Sequence, residues 1–322
     1  MGSKISFGCV TSMSSLDFST KIGSKRFSNP IFTASGCASS GQELSQFFSL
    51  TEIGAIVTKS IMTKARTGRA TPRMAETPSG MLNSIGLQGP GIDAFLENDI
   101  PWLVANSAKI IVSIAGETVD EYGVLARRLR AVPGISAVEV NISCPNVENR
   151  GQVFACHPDT ATAVIESVRR NIGGELPIVA KLSPDVTNIV EIAQSVINAG
   201  VDGLALINTL LGMVIDTNTM KPKLAGKTGG LSGPAIRPVA VRAIYQVHQA
   251  FPNTPIVGMG GVASGRDAFE LVLAGASAVS IGTATFGNPT AVLQIRDQLS
   301  ELLLEKGITD FRDAIGFAHR GV

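Results

Sequence analysis

Residues 177–209 read PIVAKLSPDVTNIVEIAQSVINAGVDGLALINT, and their pattern decides the fold. Two short, nearly unbroken apolar runs flank a segment whose apolar residues recur at helical spacing and which closes on Gly200, in the manner of a helix C-cap. A strand without polar alternation is buried on both faces, which implies a parallel sheet covered by helices. The unit recurs along the chain. PIFTASG (30–36), AIVTKS (55–60), IIVSIAG (110–116) and AVEVNISC (137–144) precede it, and PIVGMGG (255–261) and AVSIGT (278–283) follow it. Helical patterns lie between them at 118–132, 158–172 and 265–276. Together with PIVAKLSP (177–184) and GLALINT (203–209), these make eight strand-helix units, the arithmetic of a (β/α)8 TIM barrel.

A doubly wound open sheet is the competing architecture. It would place a G-x-G-x-x-G turn after the first strand, with an acidic residue about 20 positions on. The first strand instead leads into ASGCASSG, and the glycine turns come late, after the seventh and eighth strands. The expected fold is therefore an α/β TIM barrel, one domain over residues 1–322 with its strands between about 30 and 283. Residues 61–92 and 210–233 are connections longer than packing requires, rich in Gly and small polar groups. They read as lid-like insertions, extended loops over the C-terminal mouth.

Composition excludes several classes. Charged residues are only 16% of the chain, and Lys+Arg 27 against Asp+Glu 26 leaves no field to attract nucleic acid. Four cysteines without a CxxC pair, and three histidines in all, give neither a disulfide scaffold nor a metal site, and fit a reducing cytoplasm. No apolar run approaches the roughly 18 residues that span a bilayer. The opening MGSKIS formally matches the loose N-myristoylation pattern at Gly2, one that chance supplies often. Low charge suits a homodimer.

The strand exits carry the chemistry. Gly260, Gly261, Gly282 and Thr283 follow the seventh and eighth strands, where barrels commonly bind phosphate on backbone N–H groups. Lys59 and Lys181 each end an apolar run. A lysine there either snorkels to water or points into the mouth, where two cations suit an anionic ligand. Asn83, Asn141, Asn146 and Asn208 sit at or beside three exits. Each alone could be an Asx turn, but four together suit a flat heterocycle with alternating C=O and N–H. Cys144, in NISCPN, is misplaced as core filler and has no neighbouring His to make it a covalent nucleophile. A general base is the remaining role, and a free thiol near pKa 8.5 predicts faster turnover at mildly alkaline pH.

The chain resembles the dihydroorotate dehydrogenases from about residue 16 to 320. The segments that carry the likeness include SNPIFTASG, GAIVTKSI, ETPSGMLNSIGLQGPGIDAFL, VNISCPN, VAKLSP, INTLLGM, TGGLSGPAIRP, GMGGV and VSIGTATF. It looks closest to the class 1 enzymes with a cysteine base, and TLLGMVID, KTGGLSGPAIRPVAVR and IGFAHR look like their B-type, NAD-linked branch. The resemblance implies FMN across the mouth, with its phosphate at Gly260, Gly261, Gly282 and Thr283. Ser35, Lys59, Ser60, Ser113, Asn141, Lys181, Ile207 and Gly233 would line the rest, Ser113 standing where relatives more often carry Asn. It implies dihydroorotate on the flavin ring, held by Lys59, Asn83, Ser84, Ile85, Gly86 and Leu87 on one side. Asn141, Asn146, Asn208 and Thr209 would hold the other. Cys144 would remove the C5 proton while hydride passes from C6 to flavin N5, giving orotate. The B-type likeness further implies a second subunit with FAD and a 2Fe–2S cluster, for which this chain has no cysteine array.

Other readings stay open at this level. They are a fumarate-reducing class 1A-type enzyme, a related dihydropyrimidine dehydrogenase, a flavin-free phosphate-binding barrel with Lys181 as a Schiff-base lysine, and a non-catalytic scaffold.

Overall fold

Short runs of Ile, Val, Leu and Ala form eight parallel strands in the computed structural model, which describes residues 16–143 and 157–321. In chain order the strands are Ile31–Thr33, Ile56–Val57, Ile110–Ile114, Ile135–Asn141, Ile178–Lys181, Gly203–Leu206, Ile256–Gly258 and Ala278–Ile281. Each pairs with the next from the second to the eighth, and the eighth pairs with the first. The first and second meet at the Phe32–Ala55 bridge, where Gly54 N–H donates to Ile31 O (2.8 Å) and Thr33 N–H to Ala55 O (3.1 Å). That contact brings the sheet round into the expected (β/α)8 barrel.

Helices Val119–Leu129, Pro158–Ile172, Ile189–Asn198, Arg237–Ala250, Gly265–Ala274 and Ala291–Glu305 form the outer layer. Their starts have chemical causes. Thr118 accepts a hydrogen bond from Glu121 N–H and Ser264 from Asp267 N–H, satisfying donors that a helix leaves unpaired. Gly200 and Gly275 close two of them at φ +96° and +127°, conformations costly for any residue with a Cβ. Between the first two strands only 3-10 turns form, at Leu44–Gln46 and Leu50–Glu52.

The barrel interior is layered. Phe32, Val57, Ile111, Ala137, Val179, Ala205, Val257 and Ala278 come from the eight strands in turn and pack into one buried apolar cluster. Side chains on a strand repeat every second residue. The next inward layer, toward the strands' C-terminal ends, is therefore Ala34, Lys59, Ser113, Glu139, Lys181, Ile207, Met259 and Ser280. Packing is finished below this layer, and polar groups begin in it.

The two long connections are not simple loops. Met74–Thr77 and Gly80–Asn83 form a hairpin, and Gly80–Asn83 pairs with Thr228–Ser232, which pairs with Leu210–Met213. Residues distant in sequence thus complete one four-stranded antiparallel sheet. Its strands are rich in Gly and small polar residues, with little strand propensity of their own. Their pairing is tertiary, which is why the sequence pattern reads as loop. Among the described residues no helix is long and apolar enough to cross a membrane.

Candidate active site at the barrel mouth

A cavity of about 660 Å³ opens over the C-terminal ends of the barrel strands, a size suited to a small molecule or cofactor. Ala34, Lys59, Lys181, Ile207, Met259 and Ser280 form its wall from the inward layer. Ser113 and Glu139 belong to that layer but do not reach the wall. The antiparallel sheet supplies Met74, Met81, Asn83 and Ser232, and Gly233 follows directly after it.

Of the residues singled out in the sequence, the cavity gathers most of them. Ser35, Lys59, Ser60, Asn141, Lys181, Ile207, Gly233, Gly260, Gly261, Gly282 and Thr283 line it, as do Asn83, Ile85, Gly86, Leu87, Asn208 and Thr209. Ser84 is buried away from it, accepting from Arg69 Nη1 at 3.0 Å. Ser113, fully buried, stands behind Ser60 at 2.9 Å between hydroxyl oxygens. Cys144 and Asn146 lie outside the described residues.

At one end the wall is backbone. Gly260 and Gly261 turn through φ +128° and +76°. A Cβ on Gly261 would lie 2.8 Å from Arg237 N and 2.9 Å from Gly233 O, so only glycine brings the chain this close. Among the described residues the amides of Gly260, Gly261 and Thr283 make no backbone hydrogen bond, leaving them as donors for an anion. The Thr283 hydroxyl donates to Ser232 Oγ at 2.8 Å. Close by in the fold, Ser280 Oγ is buried with no partner among the described residues, although it belongs to the cavity wall.

At the other end the wall is side chains, and they interlock. Asn141 Nδ2 donates to Ser60 Oγ at 3.0 Å, and its Oδ1 accepts from Ser143 N (3.3 Å) and Ser143 Oγ (3.2 Å). Asn208 Nδ2 donates to Ser143 Oγ at 2.8 Å and approaches Asn141 Oδ1 at 3.3 Å. Tyr122 OH fixes the strand from outside by donating to Asn141 O at 2.8 Å. Asn83 Nδ2 reaches Gly230 O at 3.4 Å, tying it to the neighbouring strand of the sheet. Each carboxamide carries two N–H groups and an oxygen with two lone pairs, so this network holds the amides in place while leaving Asn141 a second N–H.

Two cations complete that end. Burial, and secondly the Arg73 guanidinium, hold the Lys59 ammonium below the ordinary lysine range. Lys181 is 4% exposed, with Nζ 3.8 Å from Glu139 Oε1. Glu139 was not singled out in the sequence, although a lone acid in the apolar run AVEV is an available signal. Cys37 was also missed. It lines the cavity, and burial pushes its thiol up to about 11 against the opposing pull of Lys181.

Comparison with known proteins sets this geometry in context. A family model described as dihydroorotate dehydrogenase matches residues 17–303. A protein of Desulforudis audaxviator, named dihydroorotate dehydrogenase B (NAD(+)), catalytic subunit, is 50% identical over 292 residues, covering 91% of this chain and 94% of the relative. Catalytic subunits of the same name from Desulforamulus reducens and a Geobacillus species are each 49% identical. The first covers 94% of this chain and 99% of the relative, the second 89% and 91%.

Proposed function

The chain belongs to the dihydroorotate dehydrogenase family, and from that membership and the cavity we propose how its residues oxidise dihydroorotate to orotate in pyrimidine biosynthesis. The observation that carries the reading is one cavity with two unlike ends: unpaired backbone amides after the seventh and eighth strands, and lysines with interlocked carboxamides opposite.

FMN fits these features. The amides of Gly260, Gly261 and Thr283 offer an anion site for its phosphate, with Gly282 leaving room beside them. Ser280 Oγ, unpartnered among the described residues, is a buried group suited to a polar ligand. Ser35, Lys59, Ser60, Lys181, Ile207 and Gly233 line the space for the ring. Ser113 acts on it through Ser60. When bound, FMN supplies the acceptor for the two electrons that leave C6 of the substrate.

The chain's own residues do the rest. Lys59 pairs its charge with the substrate carboxylate. Asn83, Asn208, Thr209 and the stretch 84–87 bind the ring amides and carbonyls, and Asn141 offers its second N–H. Held on this fixed network, the substrate is oriented without reorganising the site. Cys144 follows Ser143 directly in the chain and is the base. Its thiolate takes the C5 proton and returns it to solvent after product leaves. Asn146 belongs to the same amide set.

Relatives named as B-type catalytic subunits support an electron route outward. The chain, a cytoplasmic homodimer in this reading, passes electrons to a second subunit with FAD and a 2Fe–2S cluster, and from there to NAD. The decisive experiment is the visible spectrum of the purified chain before and after anaerobic dihydroorotate. A flavin spectrum that bleaches is expected. A colourless folded protein refutes the cofactor, and an unbleached flavin refutes the substrate. Efficient fumarate reduction by the chain alone would instead favour the 1A-type acceptor.

A further inference from the structure

Glu139 is a buried acid that the mechanism above does not use. It sits in the fourth strand, 2% exposed, set back from the cavity in the inward layer, whose only other charged members are Lys59 and Lys181 and whose remaining members are apolar or small. A carboxylate there is a costly filler, and a buried ion pair is weak grounds for stability. Its contacts show what it does instead, because both lead to the cavity.

One contact is Lys181. The separation of 3.8 Å exceeds that of a close charge-assisted hydrogen bond, about 2.7–2.9 Å, so the ammonium is neutralised without spending all its donors. The other is Ser113, whose Oγ donates to Glu139 Oε1 at 3.0 Å. A carboxylate only accepts, and a serine hydroxyl has one proton to give. Ser113 must therefore accept from Ser60 across their 2.9 Å contact, and Ser60, its proton spent, must accept from Asn141 Nδ2 at 3.0 Å. The acid fixes the direction of every bond in the chain. It demands the same orientation of the Asn141 carboxamide that the Ser143 N–H and Asn208 Nδ2 select from the other side, with Oδ1 facing both, and so braces it.

We propose that Glu139 is a positioning residue behind the cavity wall: its buried carboxylate holds the Lys181 ammonium on one side and, through the one-way chain Ser113–Ser60, braces the Asn141 carboxamide in its orientation on the other. The proposal rests on the flavin and dihydroorotate reading of the cavity. One acid, touching neither ligand, thereby sets the cation offered to the cofactor and the amide offered to the substrate.

Glu139→Gln tests it in the FMN-loaded protein. Gln matches the shape but removes the counter-ion, and its NH2 can donate to Ser113 and reverse the chain. A buried ammonium without a counter-ion gives up its charge or moves out to water. The preference for reduced over oxidised flavin then falls about tenfold, a midpoint potential about 30 mV lower for a two-electron couple. Orotate binding, read from the flavin spectrum, weakens about tenfold as well. Glu139→Asp, which keeps the charge, recovers part of both. Bound flavin with unchanged potential and unchanged orotate affinity overturns the proposal. So does a raised potential, which would make Glu139 merely an opposing charge. Should Glu139→Gln fail to fold or to take up flavin, Ser113→Ala cuts the hydroxyl chain and leaves the ion pair. It is expected to weaken orotate binding with the potential unmoved, and unchanged orotate binding overturns the proposal. A wild-type chain that takes up no FMN refutes the parent reading instead, so the two failures are distinct.

Discussion

Beyond the seventh and eighth strands the cavity wall turns on glycines, with the amides of Gly260, Gly261 and Thr283 free of backbone bonds among the described residues. Beyond the second, fourth, fifth and sixth it is side chains: Lys59, Asn141, Lys181 and Asn208, the amides bonded to one another or to nearby serines. On the proposed function the first end recognises by leaving room, with backbone donors that no side-chain deletion removes. The second recognises and reacts, on the same reading, by what its side chains present. The two ends should therefore break in opposite ways, one by adding atoms and the other by removing them.

Removal at the reacting end has the largest expected effect. Cys144→Ala should slow flavin reduction by dihydroorotate by about 10²–10⁴-fold, the usual worth of a positioned general base. FMN content and orotate affinity should stay near wild type, since the role proposed for the thiol is proton removal alone. Anaerobic stopped-flow measures the rate, and a variant within a few-fold of wild type would remove Cys144 from the mechanism.

Addition at the glycine end comes next. Gly261→Ala forces an alanine into φ +76° and places its methyl 2.8 Å from Arg237 N. The left-handed conformation alone costs about 1–2 kcal/mol, strain that the free turn sheds by moving off the geometry the phosphate needs, so FMN affinity should fall about tenfold. Flavin that does bind should be reduced at close to the normal rate. Were the rate to collapse while affinity held, the separation of the two ends would be lost.

The side-chain end also has a pH signature. Lys59 must be charged to hold a carboxylate, and burial first, Arg73 second, pull its titration below the ordinary lysine range. Orotate affinity should therefore fall as pH rises, and should begin to fall earlier than a free lysine would predict. Arg73→Leu removes the second cause, so the loss should move to higher pH. A profile that moves to lower pH, or not at all, would mean that Lys59 is not the carboxylate's partner.

How much of this was legible in the sequence follows from the same contrast. The barrel was, because each strand announces itself as an apolar run and the glycine-closed helices repeat between them. Lys59, Asn141 and Lys181 were, as polar residues ending apolar runs. Glu139 lies in plain view in AVEV, but a strand buried on both faces gives no clue to which residues face the barrel axis. Only the inward layer, assembled from eight strands, separates it from its neighbours. Ser113 stands one step behind the cavity wall for the same reason: inward does not mean exposed to the cavity. The antiparallel sheet escaped altogether, since pairing of Gly80–Asn83 with Thr228–Ser232 depends on contacts some 150 residues apart, and Gly-rich strands leave a weak local trace.

The smallest effect is the most discriminating, because its two parts have opposite signs. Among the described residues Ser280 Oγ is buried without a partner, and a hydroxyl in that state costs stability relative to a methyl. Ser280→Ala should therefore leave the flavin-free protein as stable as wild type or slightly more so. If the hydroxyl awaits a polar atom of FMN, the same change should weaken FMN binding a few-fold, about 1 kcal/mol for one neutral hydrogen bond. Thermal unfolding without flavin and a flavin titration read the two separately. A variant that is less stable without flavin, yet binds FMN as before, would make Ser280 an ordinary packing residue. The fixed donors of this end would then be the backbone amides alone.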